Sequence, residues 1–285
     1  MAFTPRSHPH NHLRQNSQRT RTPKTGRVKP KKSLGQHFLT DLNIAERIAR
    51  TLDSAPDLPV LEIGPGMGVL TQFLLRHGRN VTAVELDSES VEYLKAHFPQ
   101  LNGESRIIEA DFLKLNLREM MGEGEFAVIG NYPYNISSQI FFHILDFREQ
   151  IPLCSGMLQR EVAERLAADP GTKARGILSV LLQMWYDVQY LFTVSESVFN
   201  PPPKVKSGVI KLTRNERTDP GCDLDLFKKV VKTTFGQRRK TIRNSIRAIA
   251  PDFPAAHPLA GMRPEQLSVD QFISLTNDVD TLKRG

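Results

Sequence analysis

One stretch, Val60-Leu61-Glu62-Ile63-Gly64-Pro65-Gly66-Met67-Gly68-Val69-Leu70, constrains what this chain can fold into more than any other. A short apolar run meets a glycine-rich turn, after which Val69, Leu70, Phe73 and Leu74 recur at helical spacing. Gly78 closes that helix, and Val81-Thr82-Ala83-Val84-Glu85 reads as the next strand. Strand, glycine turn, helix and a strand ending in an acid make half of a Rossmann-like sheet. In such a half-sheet the glycines let backbone approach a ligand, and the acid, here Glu85, grips a ribose diol.

The details exclude a nicotinamide dinucleotide. That fingerprint needs Gly-x-Gly-x-x-Gly, whereas the glycines here stand at 64, 66 and 68 and Val69 takes the third position of the pattern. Glu62, just ahead of the turn, suits an ammonium group better than a pyrophosphate. These departures point to S-adenosylmethionine, which carries an amino-acid tail and a ribose but no phosphate.

A second motif lies about 70 residues on, where Phe126-Ala127-Val128-Ile129-Gly130 runs into Asn131-Tyr132-Pro133-Tyr134. By itself Asn-x-Pro-Tyr is a strand ending in a turn. Downstream of the glycine motif it reads as a clamp for a flat base bearing an exocyclic amine. The Asn131 amide oxygen and a neighbouring backbone carbonyl can accept the two amine hydrogens while the Tyr134 ring lies against the base. Proline removes a donor and fixes the chain direction, so that the carbonyls can face a site.

With 285 residues the chain can bury one full α/β core and a smaller second unit. No apolar stretch approaches membrane-spanning length, and no signal-peptide core is evident, so no membrane partner is expected. Two cysteines, Cys154 and Cys222, cannot build a disulfide framework, and a reducing cytoplasm is the natural compartment. The net charge of +7 is unevenly placed: residues 1–40 hold nine Lys or Arg and no acid, leaving 29 bases against 31 acids elsewhere. Residues 1–32 are therefore expected to be a basic tail, disordered in isolation and suited to nucleic acid. An organellar transit peptide fits less well, because the tail lacks an apolar helical face. His8, His10 and His12 have no supporting second shell in such a tail, and no metal site is expected.

Along the chain, Asp41 is placed to cap a helix bearing Ile44, Ile48 and Leu52. Strands are expected over 106–111, up to Gly130, and over 153–158, with helices over 136–145, 161–168 and 177–185. Val188 to Val194 and Val209 to Thr213 read as a closing antiparallel pair. This alternation predicts an α/β fold, a mostly parallel sheet with helices on both faces. After a polar stretch at 214–220 the pattern is helical only, with helices expected over 223–235 and 237–249. A third opens at the capping box Ser268-x-x-Gln271. The expected organisation is thus a tail (1–32), a methyltransferase unit (33–214) and a helical RNA-docking unit (215–285). On the second of these helices Arg239, Arg243 and Arg247 recur every four residues, within a stretch from Lys228 to Arg247 that holds eight bases and no acid.

Taken together, five strings resemble the ribosomal RNA adenine dimethyltransferases, most closely the bacterial small-subunit branch. They are Gly35-Gln36-His37-Phe38-Leu39, Glu62 to Gly66, Asn131 to Ser137, Phe199-Asn200-Pro201-Pro202-Pro203-Lys204-Val205 and Phe235 to Asn244. The resemblance spans about residues 31–275. Tyr132 departs from the smaller aliphatic residue usual there; its backbone is expected to face the site, so the departure should matter little. The resemblance implies a class I methyltransferase fold and dimethylation of N6 on two adjacent adenosines near the 3′ end of 16S rRNA, in the small ribosomal subunit, by a monomer. It further implies that His37 and Leu39 flank the cofactor, Gly64 lies under its methionine portion, Glu85 holds the ribose and Asp111 the adenine amine. Asn131 would line both cofactor and substrate, with Pro133 and Tyr134 at the base and Phe199 over its opposite face.

Three rivals remain at this stage. A resistance methyltransferase acting on large-subunit RNA is opposed by the Phe235 to Asn244 string. DNA adenine methylation usually carries a different motif. A non-catalytic RNA-binding assembly or transcription factor would be expected to have lost cofactor residues, and this chain keeps those that can be placed.

Overall fold

The computed structural model describes residues 28–103 and 106–284. Among the described residues nine strands form: β1 (Phe38–Leu39), β2 (Val60–Ile63), β3 (Val81–Glu85), β4 (Ile107–Glu109), β5 (Ala127–Asn131), β6 (Leu153–Gln159), β7 (Tyr186–Val194), β8 (Phe199–Asn200) and β9 (Ser207–Arg214). Seven of them make one sheet in the order β4-β3-β2-β5-β6-β9-β7. β4, β3, β2, β5 and β6 run parallel, and β9 joins both β6 and β7 antiparallel. The expected closing pair is therefore present, with β9 inserted between β6 and β7. β2 is the turning point: the chain grows outward to β3 and β4, then returns to lay β5 on the other side of β2. Open parallel sheets bind ligands outside the carboxyl ends of the strands at this point.

The α-helices among the described residues are α1 (Leu42–Ala49), α2 (Thr71–Arg76), α3 (Ser88–His97), α4 (Leu117–Met121), α5 (Ser137–Asp146), α6 (Arg160–Leu166), α7 (Ile177–Gln183), α8 (Leu224–Gly236), α9 (Ile242–Ser245) and α10 (Val269–Arg284). Their ends follow local chemistry. The Asp41 carboxylate accepts from Asn43 and Ile44 N–H groups and opens α1, and Asp223 does the same for α8 through Leu226 N–H at 2.7 Å. Ser268 and Gln271 exchange reciprocal bonds ahead of α10, the capping box read from the sequence.

Side-chain alternation along the strands divides the core. Val60, Ala127, Ile129 and Val209 join the cluster that holds α1 and α2. Leu61, Val128, Ile210 and Leu212 join the cluster on the opposite face. That second cluster continues through Leu181 and Met184 into Phe227, Val230 and Phe272, so the helices beyond residue 214 are bound to the sheet by shared apolar burial.

One expected element is different. No continuous helix covers 237–249: residues 237–240 form a turn, α9 spans only Ile242–Ser245, and a 3-10 turn follows over Ile246–Ala248. Three consecutive cations, Arg238, Arg239 and Lys240, would oppose the positive end of a helix dipole had the helix begun there. The first N–H groups of α9 are taken instead by a distant segment, Ile242 donating to Met262 O at 2.7 Å and Arg243 to Ala260 O at 3.1 Å. Ile242 and Ile246 are fully buried as the apolar pattern required.

Candidate active site

β2 ends in the glycine turn, and three of its glycines adopt left-handed backbone, with φ of 63° at Gly64, 57° at Gly66 and 76° at Gly68. At Gly66 the requirement is also spatial, since a Cβ there would meet the Phe38 ring at 2.8 Å. The turn then reaches across to β3: Gly66 donates its N–H to Glu85 Oε2 at 3.0 Å, and Asp87 donates its N–H to Glu85 Oε1 at 2.9 Å. Burial pushes the Glu85 carboxyl above its ordinary value, and these backbone donors oppose that rise. Glu85 is thus fixed at the strand end with lone pairs to spare, as a ribose diol would need.

Beside these residues opens a cavity of about 360 Å³, a size suited to a nucleoside-derived ligand. Gly64, Glu85, Asp111 and Asn131 lie on its wall, and so does the arm Ser33–His37. Asp111 opens a short turn by accepting from Leu113 N–H at 3.1 Å. Under the glycine turn, a smaller space of about 30 Å³ is shared by Glu62, Gly64 and Asn131. Glu62 is fully buried; its Oε2 accepts from Thr71 Oγ1 at 2.7 Å and its Oε1 has no partner among the described residues. Burial pushes its carboxyl up to about 8. An orphaned acid oxygen beneath a glycine turn is the environment an ammonium group would complete, so the residues present fit S-adenosylmethionine at its ribose and its amino-acid ends.

The acceptor end is built on the last residue of β5. Asn131 Nδ2 donates to His37 O at 3.0 Å, which leaves Oδ1 as the amide atom able to accept. The Pro133 carbonyl accepts one long bond, from Ile136 N–H at 3.2 Å, and retains a second lone pair. Tyr134 lies half-buried at the cavity, its hydroxyl hydrogen-bonded to Ser207 Oγ at 2.5 Å. Burial raises its phenol above the ordinary value, with Ser207 opposing. His37, on the wall of the same cavity, also meets this acceptor end: its ring centroid is 5.3 Å from that of Tyr134, and it donates from Nδ1 to Pro201 O at 2.9 Å.

Tyr132 is oriented as expected, backbone toward the site, but its side chain has a definite task. The ring is buried between Gly130 and Gly156 of neighbouring strands, where a Cβ would approach it to 2.9 and 2.5 Å. Its hydroxyl donates to Ser155 O at 2.7 Å. Phe199, expected over the opposite face of the base, belongs to β8. It is 4 % exposed, pairs with Leu39 across the β8–β1 ladder and packs in the apolar cluster behind the cavity. A phenylalanine in a strand pairing is held by its neighbours on the sheet face, and here that face is the core. Leu39 is likewise buried, and it lines the small space under the glycine turn.

The arm is tied down beside the site by Lys31, Gln36 and Asp87, none of which was given a role from the sequence. Lys31 Nζ bonds the buried Asp87 carboxylate, and Gln36 Nε2 donates to the same group at 3.3 Å. Burial raises the Asp87 carboxyl, but Lys31, Gln36 and Ser90 together bring it below its ordinary value. Val28 is buried and Lys31 is paired, so the last residues assigned to the tail are part of the fold; residues 1–27 lie outside the described residues. Asp87 also caps α3, accepting from Glu89 N–H at 3.4 Å, so one carboxylate serves both the helix and the arm. Arg239, Arg243 and Arg247 are all exposed, the first in the turn before α9 and the others on α9 and the turn after it. Among the described residues there is no cluster of acids, histidines and cysteines placed to hold a metal, and no helix long and apolar enough to cross a membrane.

Sheet order, glycine turn and strand-end acid together define a class I, S-adenosylmethionine-dependent methyltransferase. Comparison with known proteins agrees. Residues 27–280 match the family model described as ribosomal RNA adenine dimethylase, and the chain belongs to that family. It is 67 % identical over 253 residues to "Ribosomal RNA small subunit methyltransferase A" of Parabacteroides distasonis, covering 87 % of this chain and 93 % of that one. It is 54 % identical over 255 residues to the protein of the same name in Flavobacterium johnsoniae, covering 89 % and 97 %. Among solved structures, a dimethyladenosine transferase from Plasmodium falciparum superposes with a TM-score of 0.71 at 23 % identity, over 87 % of this chain and 98 % of that one. The 23S rRNA methyltransferase ErmE gives 0.62 at 28 % identity, over 84 % and 99 %.

Proposed function

We propose that this enzyme dimethylates N6 of two adjacent adenosines near the 3′ end of 16S rRNA, acting on the small ribosomal subunit in the cytoplasm as a monomer. The observation that carries this reading is the Asn131 amide, whose NH2 is held by the His37 carbonyl and whose oxygen is left to accept, on the same cavity wall as Pro133 and Tyr134. The relatives at 54–67 % identity carry small-subunit names, whereas the large-subunit enzyme stands at 28 %; this favours the small-subunit substrate.

S-adenosylmethionine, when bound, supplies a methyl group activated on a sulfonium. Glu85 would hold its ribose, Asp111 its adenine amine, and Gly64 with Glu62 its methionine portion. On the acceptor side, the adenosine must leave its stack to enter. Its amine is a weak nucleophile because the lone pair is delocalised into the ring. Asn131 Oδ1 and the Pro133 carbonyl accept the two amine hydrogens and favour a pyramidal nitrogen, and Tyr134 stacks on the ring. Alignment supplies the remainder of the acceleration, and the displaced amine proton passes to water. No side chain has to act as a strong base.

Docking is assigned to the helical unit 215–285, with Arg239, Arg243 and Arg247 on phosphates; their separation over a turn and a short helix suits a bent backbone better than one straight stripe. Incubating the protein with undermodified small subunits and labelled cofactor, then mapping the modified base, tests the whole reading. Label on both adenosine N6 atoms is the expected result; label on large-subunit RNA alone would overturn it.

A further inference from the structure

The loop Pro201–Lys206 is fastened at both ends to the side chains that frame the acceptor. At its start the Pro201 carbonyl accepts from His37 Nδ1, and the preceding Asn200 and Phe199 pair with Phe38 and Leu39. At its end Ser207 bonds the Tyr134 hydroxyl and enters the sheet opposite Gln159 and Val194. Lys206 O also accepts from Arg160 N–H at 3.0 Å, and Pro203 is buried. Between these anchors Lys204, Val205 and Lys206 are all exposed, Val205 to 42 %. A single exposed valine is ordinary. This one is held on a rigid loop beside the acceptor pocket, with a cation on each side.

An adenosine that enters the pocket leaves a gap in its stack, and opening that gap sacrifices base stacking. Proteins that deform nucleic acid offset such a cost by inserting an apolar side chain where bases have parted. We propose that Val205 is a wedge that occupies the stack position vacated by the target adenosine, while Lys204 and Lys206 hold the flanking phosphates. The inference rests on the reading of the acceptor as structured ribosomal RNA.

The test uses undermodified small subunits, with Val205→Ala and Val205→Leu compared with the parent. At saturating subunit concentration, Val205→Ala should slow single-turnover methylation by on the order of tenfold, the scale of an unstacking cost no longer offset. Its affinity for the subunits and for S-adenosylmethionine should hold, and Val205→Leu, which keeps an apolar wedge, should retain the parent rate. A parent-like rate for Val205→Ala overturns the proposal. So does a weakened affinity with an unchanged saturated rate, which would make Val205 a docking contact. If the parent itself methylates no subunit RNA, the reading of the acceptor fails and the wedge falls with it; that outcome is distinct from either of the others.

Discussion

Asn131 donates its amide N–H to the His37 carbonyl at 3.0 Å, and this bond decides which end of the amide can meet an incoming amine. The arm that carries His37 therefore orients the group that activates the acceptor. Asn131→Ala removes the acceptor atom while leaving the exposed cations untouched. Methyl transfer should fall by about 10²–10³-fold, the range for losing one preorganised hydrogen-bonding group, while binding to subunits persists. Single-turnover rates beside a subunit-binding assay check this; turnover at the parent rate would remove Asn131 from the mechanism.

Glu85 stands at the end of β3 with two backbone donors on its carboxylate. Glu85→Ala should weaken S-adenosylmethionine binding by about 1–3 kcal/mol, because a charged acceptor to the ribose is lost. Calorimetry on a variant with a parent-like circular dichroism spectrum measures it. Unchanged affinity would sink the ribose assignment.

Much of this site was legible because its signals are local. The glycine turn, the acid ending β3 and the Asn131–Tyr134 string each declare themselves within a few residues, and sheet geometry then forces them to one edge. What could not be read depends on contacts distant in sequence. Lys31 meets Asp87 across 56 positions, and no periodicity encodes that encounter. The burial of Phe199 rests on its pairing with Leu39, far away in the chain, which its neighbours in sequence do not announce. The helix expected over 237–249 failed for the same reason, since backbone acceptors at 260 and 262 fix where α9 begins.

Glu62 gives a pH dependence with a definite sign. Burial holds its carboxyl at about 8, against an ordinary value of 4.5. Between those values the folded chain keeps a proton that the unfolded chain has lost, so stability falls as pH rises through the window, by at most about 1.4 kcal/mol per unit. An ammonium group settling beside Glu62 favours its ionised form. Binding of S-adenosylmethionine at pH 7 should therefore release close to one proton, and Glu62→Gln should abolish that release. Calorimetry in two buffers of different ionisation enthalpy reads the proton count directly; equal counts for parent and variant would place the ammonium elsewhere.

The exposed cations around α9 make the final prediction. Arg239 and Arg243 come from a turn and a four-residue helix rather than one continuous face, yet both are exposed in a region rich in bases and free of acids. If they contact RNA phosphates, Arg239→Glu with Arg243→Glu should weaken binding to small subunits and flatten its salt dependence. The logarithmic slope should drop by roughly 1.4–1.8, because two fewer counterions are released. S-adenosylmethionine affinity should hold, since neither residue lines the cofactor cavity. The apolar side of the segment, Ile242 and Ile246, is buried and unaltered, so the double variant should melt like the parent. Subunit binding measured at several salt concentrations separates the outcomes. A lower affinity with an unchanged slope would mean a local distortion rather than lost phosphate contacts. An unaltered affinity and slope would mean that these arginines only solvate the surface, leaving docking to the basic segment ahead of Val28 or to the methyltransferase face itself.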